Sequence, residues 1–176
     1  MIAIRFINSA DSFVGRMIDL ATFSLIDHVE FGTRDNTWIG AHHGTGVQER
    51  AFGYCIPTLD WRYDLPCTDK QYEGVIADSR ALIGTRYDDL GILGLLVHDR
   101  SIYAQHRVIC SQFVTDRLQA RGIELLNVLP EFTHLITPEV VHLSPLFIGR
   151  RTYSFPPPRL SVVNSRPPAG KLKAAG

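Results

Sequence analysis

The spacing of apolar residues changes once along this chain, and that change constrains the fold more than any other feature. Met1 to Phe6, Ile26 to Phe31, Thr37 to His42, Val47 to Phe52 and Trp61 to Leu65 each read as a short strand. Polar or Pro-bearing turns separate the later ones, and strands joined by short turns pair antiparallel. After Thr68 the spacing becomes helical. Thr68 and Asp69 offer an N-cap, Tyr72, Val75, Ile76, Ser79, Leu82 and Ile83 share one face, and Gly84 stops the run. A second helix is predicted from Cys110 to Gly122, burying Phe113, Val114 and Leu118 and leaving Asp116, Arg117 and Arg121 in water. A further helix is predicted between the first two strands, capped by Asp11 or Ser12 and carrying Phe13, Met17, Ile18, Leu20 and Ala21. The expected class is α+β, an antiparallel sheet packed against helices.

At 176 residues and 45% apolar content, one domain with a real core is expected. We assign it to residues 1–155. From Pro156 the chain is rich in Pro with Ser, Asn, Gly and Lys, a composition that cannot repay its ordering entropy, so 156–176 reads as an extended or mobile tail. Eighteen acidic residues balance eighteen Lys and Arg, which excludes nucleic-acid binding by bulk charge. The longest apolar run, Leu90 to Val97, is far short of the ~20 residues a membrane helix needs, so no transmembrane anchoring is expected. Arg5 interrupts the apolar N-terminus, unlike a secretory leader, and the expected location is cytoplasmic.

Three cysteines, Cys55, Cys67 and Cys110, make neither a disulfide set nor a zinc-ribbon spacing. Only Cys110 falls where a helix begins, the setting that stabilises a thiolate. Its partner would be a histidine. In the strand around His28, alternation puts Asp27, Val29 and Phe31 on one face and His28 and Glu30 on the other. A turn centred on Asp35 sets His42 across from His28; a two-residue Asp35-Asn36 loop sets His43 there instead. Either imidazole could orient the His28 ring, as the third member of a triad does.

These segments resemble a known family. Asp-His28-Val-Glu-Phe, the return strand Trp-Ile-Gly-Ala-His-His-Gly-Thr-Gly-Val-Gln-Glu-Arg, Gly84-Thr-Arg-Tyr87-Asp88 and Val-Ile-Cys110-Ser-Gln-Phe-Val are similar to the circularly permuted NlpC-like, papain-like cysteine hydrolases of the YiiX type. The order of histidine before cysteine is the permuted one. The likeness covers roughly residues 22 to 145, and Thr137-Pro138-Glu139 with Ser144-Pro145 look like that branch's C-terminal return to the sheet. The return-strand run is also similar to members encoded by phages and prophages.

The resemblance implies a permuted papain-like fold with Cys110 as nucleophile at a helix N-terminus and His28 as general base and later acid. His42 is the first candidate for the third catalytic residue, with His43 and Glu30 as alternatives, because Gly40 falls where the family places a polar group. Tyr87 matches a tyrosine that lines the family's cleft. Ser111 and Gln112, beside the nucleophile, are candidates to bind substrate and steady an oxyanion.

The implied activity is cleavage of an amide bond, in a peptide, isopeptide or cell-wall peptide, through an acyl-enzyme and without a cofactor or metal. Two other readings stand beside it. Relatives of this branch act on lipids, which makes an acyl-lipid ester or amide hydrolase, or an acyltransferase, the first. A non-catalytic ligand-binding module is the second, with His28, His42, His43 and Cys110 as spectators or zinc ligands.

Overall fold

A computed structural model describes residues 1–8, 25–96, 99, 101–104, 106–149 and 151–155. Its architecture is α+β. Six strands, β1 (Ile2–Asn8), β2 (His28–Gly32), β3 (Thr37–His42), β4 (Gly46–Ala51), β5 (Leu59–Leu65) and β6 (Arg151–Phe155), form one antiparallel sheet in the order β4-β3-β2-β1-β5-β6. The helices are α1 (Asp69–Ala81), α2 (Asp89–Leu96), α3 (Cys110–Gln119) and the short α4 (Pro138–His142). The helix expected near Phe13 to Ala21 and the tail from Pro156 lie outside the described residues.

Strand alternation sorts the sheet into two faces of different chemistry. Ile2, Ile4 and Phe6 of β1, Val29 and Phe31 of β2, and Ile39 and Ala41 of β3 meet Tyr72, Val75 and Ile76 of α1 and Phe113, Val114 and Leu118 of α3. Full burial of each such Ile, Leu or Phe side chain contributes about 1.5–3 kcal/mol, so this layer is the main source of stability. On the other face Arg5 pairs across from Glu30 on one side and Arg62 on the other. That face is covered too: Phe52 stacks on Trp38 at 4.4 Å and Tyr54 donates to Glu30. β2 is consequently buried along its whole length.

Local chemistry sets the helix ends. Thr68 and Gln71 form a reciprocal capping box on α1, and Gly84 after it takes a positive φ of 93°. Thr137 caps α4. α3 differs, starting on Ile109 with no side-chain cap and ending at Gln119, short of the expected Gly122. The segment expected to return to the sheet does so later than its sequence suggests. Thr137-Pro138-Glu139 opens α4, Ser144-Pro145 opens a single 3-10 turn, and the sixth strand follows at Arg151–Phe155. Prolines at the first positions of both elements favour helical starts over strand pairing.

Candidate active site

Residue Cys110 occupies the first turn of α3, where amide groups without a side-chain cap leave partial positive charge. Its sulfur lies 4.0 Å from the Asp27 carbonyl oxygen, at the mouth of β2. The next residue, His28, bears on the same sulfur. Its ring turns Nε2 toward Glu30 Oε2, 3.6 Å away and not hydrogen-bonded to it. Glu30 is fully buried and fixed twice, accepting from Arg5 Nη1 at 2.8 Å and Tyr54 Oη at 3.0 Å. Arg5 in turn holds Asp60 through Nε at 3.1 Å and Nη2 at 2.8 Å.

The β2–β3 register explains how these groups meet. Phe31 pairs with Ile39 and Gly32 with Trp38 about a turn centred on Asp35, which brings His42 opposite His28. The two rings lie 4.6 Å apart and inclined at 32°. Gly40 sits between, and a Cβ there would come within 3.2 Å of His28 Nε2 and 3.0 Å of the Glu30 Cβ. The glycine therefore leaves open the space through which Glu30 reaches the ring.

Charge separates the two histidines. Burial lowers the basicity of His28, but the Cys110 sulfur and Glu30 outweigh it and push its pKa up to about 10. Burial, the His28 charge and Arg50 together drive His42 down to about 2. One ring is an imidazolium and its neighbour is neutral. Tyr87 completes the surroundings of the sulfur: burial first, and Cys110 next, raise its pKa well above the usual value, keeping it a phenol.

Because the His28 pKa is raised above its ordinary 6.5, its ion pairing stabilises the fold fully below that value and is lost as pH rises through about 10. The Cε1 proton shift of His28 is expected to titrate near 10. In Cys110→Ala the midpoint is expected to fall by about 1–3 units, since the largest charge favouring the cation is gone. An unchanged midpoint would show that the ring does not face the sulfur.

The other residues singled out in the sequence lie as follows. His43 points away, with Nδ1 2.7 Å from Asp89 Oδ1 at the surface. The Ser111 hydroxyl donates to the Ile136 carbonyl and ties α3 to the chain beyond it, leaving its amide at the helix start. Gln112 reaches along α3 to Asp116. Cys55 and Cys67 are partly exposed, and Cys67 lies just before the Thr68 cap of α1, outside the helix. His142 packs among Phe6, Trp61 and Tyr63, whose hydroxyl is 2.8 Å from Nε2. Arg5, Asp60 and Tyr54 were not singled out. The available signal was an arginine in an apolar strand and a glutamate of matching parity two residues after His28.

His28, Glu30 and His42 also converge as metal ligands would, with one donor atom each within 4.8 Å of the others. Their charges argue for another use. Both Glu30 oxygens already accept hydrogen bonds, from Arg5 and Tyr54, and Arg50 acts on His42 from the rim. A divalent ion there would have to displace the His28 proton and share the Glu30 carboxylate with Arg5 and Tyr54. The trio fits an ion-paired array around one charged ring, with the Nε2 atoms of His28 and His42 3.6 and 3.9 Å from Glu30 Oε2 and not hydrogen-bonded to it. No protein-family model matches the sequence, and no curated protein matches it.

Proposed function

We propose that this chain is a thiol hydrolase with a permuted NlpC-like, papain-like catalytic domain, cleaving an amide bond in a peptide, isopeptide or cell-wall peptide through an acyl-enzyme. The observation that carries the reading is the position of His28, held between the Cys110 sulfur and the buried Glu30 carboxylate. In the first half-reaction the Cys110 thiolate attacks the carbonyl carbon. The resulting oxyanion is met by the uncapped amides that open α3, the Ser111 amide among them. His28 then gives its proton to the leaving nitrogen as the C–N bond breaks, leaving a thioester. Neutral His28 next takes a proton from water, the hydroxide attacks the thioester, and the acid product departs as the C–S bond breaks, which restores the thiolate beside a protonated His28.

Glu30 is the orienting group in this scheme, because its oxygen lies against Nε2 and its two donors prevent it from turning. His42 supports the ring plane by stacking, and its neutrality spares the site a second positive charge. Cys110 is only 1% exposed, so entry of an acyl donor requires displacement of the side chains over the sulfur, Tyr87 among them.

The test is trapping of the intermediate. After exposure to peptide anilides and p-nitrophenyl acyl esters and quenching in acid, mass spectrometry is expected to find the acyl group on Cys110, with none there in Cys110→Ala. In His28→Ala accumulation should be slowed by roughly 100-fold or more, the scale of a lost acid–base group. Acylation spread equally over Cys55 and Cys67 would overturn the reading. Adducts from esters alone would replace amide cleavage with the lipid-hydrolase reading of the same site.

A further inference from the structure

Beside Tyr87, two arginines, Arg86 and Arg107, share one pocket. A pocket of about 380 Å³ is bounded by Gly44, Thr45, Gly46, Gly84, Arg86, Tyr87, Asp89 and Arg107, a size suited to a side chain or small ligand. Tyr87 pairs with Val108 in a parallel bridge, so Arg86 and Arg107, each one residue earlier, leave the chain side by side. Gly46 brings the β3–β4 turn hard against them, since a Cβ there would lie 2.1 Å from the Thr85 carbonyl oxygen. Among the described residues no acid pairs with Arg86 or Arg107. Among the described residues Arg50, beside the same turn, hydrogen-bonds Gln48 and Thr45, both neutral, and lies over the Tyr54 ring.

Two acids face the area, and both are engaged. Asp89 is held by His43 at 2.7 Å, and buried Asp88 accepts from the Gly91 amide at 2.9 Å and the Ala104 amide at 3.0 Å. The pocket adjoins the thiol from two directions: Tyr87 bears on the sulfur, and Arg107 precedes Cys110 by three positions along the chain. Guanidinium pairs of this kind suit carboxylate, which accepts parallel N–H donors.

Resting on the thiol-hydrolase reading and extending it to specificity, we propose that Arg86 and Arg107 bind a carboxylate of the acyl donor, so that the preferred substrate is an acidic peptide. The donor's carboxylate sits in the pocket while its carbonyl lies over Cys110, and Arg50 adds to the field that draws it in.

Two thiol probes of one shape test this, N-iodoacetyl-glutamate and N-iodoacetyl-glutamine, applied to the full chain at pH 7 and low salt with labelling read at the Cys110 peptide. The expected result is about 10-fold faster alkylation by the glutamate probe, a ratio that collapses toward one in 0.5 M NaCl and in R86Q/R107Q. The ratio within each sample is its own control for folding. Equal rates in the wild-type chain, or a faster glutamine probe, overturn the carboxylate pocket and leave the thiol hydrolase standing. Failure of both probes to label Cys110 overturns the thiol-hydrolase reading and the pocket with it.

Discussion

At pH 6, iodoacetamide is expected to modify Cys110 at least ~10-fold faster than Cys55 or Cys67, and His28→Ala is expected to abolish that advantage. Exposure alone predicts the reverse order, because Cys110 is 1% exposed while the other two thiols are partly open to solvent. Ionisation therefore has to outweigh burial. An unassisted thiol with a pKa of about 8.5 is thiolate in roughly 0.3% of molecules at pH 6. An imidazolium and a helix start both favour a thiolate, and the lower intrinsic nucleophilicity of a stabilised thiolate takes back much of that gain, leaving on the order of 10-fold. Timed quenching and peptide mass spectrometry give the three rates in one sample. If Cys110 is the slowest of the three, its burial describes an inert core residue and the case for catalysis is lost.

The parts of this site differ in how far the sequence exposes them. The capping box of Thr68 and Gln71, the β2–β3 turn about Asp35 and the start of a helix at Cys110 are local, each decided by a few neighbouring side chains. The face shared by His28 and Glu30 follows from strand period alone. What alternation cannot tell is whether the second face of a sheet is wet. It reads His28 as equally suited to an edge strand in water, whereas β2 is interior and roofed. The roof comes from Phe52 and Tyr54, which lie in a turn-rich stretch with no period to reveal their direction. The last strand is hidden for a related reason. Among the described residues Arg151–Phe155 pairs with β5 alone, far back in the chain, and nothing nearby in sequence specifies that partner. Glu30 emerges as the group against Nε2 only when Gly40 is seen to leave the room for it.

Replacing Arg5 with methionine is expected to destabilise the fold by about 3–5 kcal/mol, a large share of the 5–15 kcal/mol available to a typical domain. Arg5 is 2% exposed and bridges two buried carboxylates, Glu30 at 2.8 Å and Asp60 at 2.8 Å. Arg62 remains to neutralise Asp60, but Glu30 would keep only the Tyr54 hydroxyl. The cost thus arises from one uncompensated buried carboxylate, and removing that carboxylate too should return much of it. Arg5→Met/Glu30→Met is accordingly expected to be more stable in urea than Arg5→Met alone, with a coupling of about 1–3 kcal/mol in the double-mutant cycle. Stability and chemistry then part company. The double variant regains its fold yet has no anion against His28 Nε2, so its Cys110 alkylation advantage should not return. Recovery of both together would show that Glu30 only balances Arg5, whereas recovery of the fold without the thiol's reactivity identifies the buried ion cluster as the support that holds His28 in its working orientation.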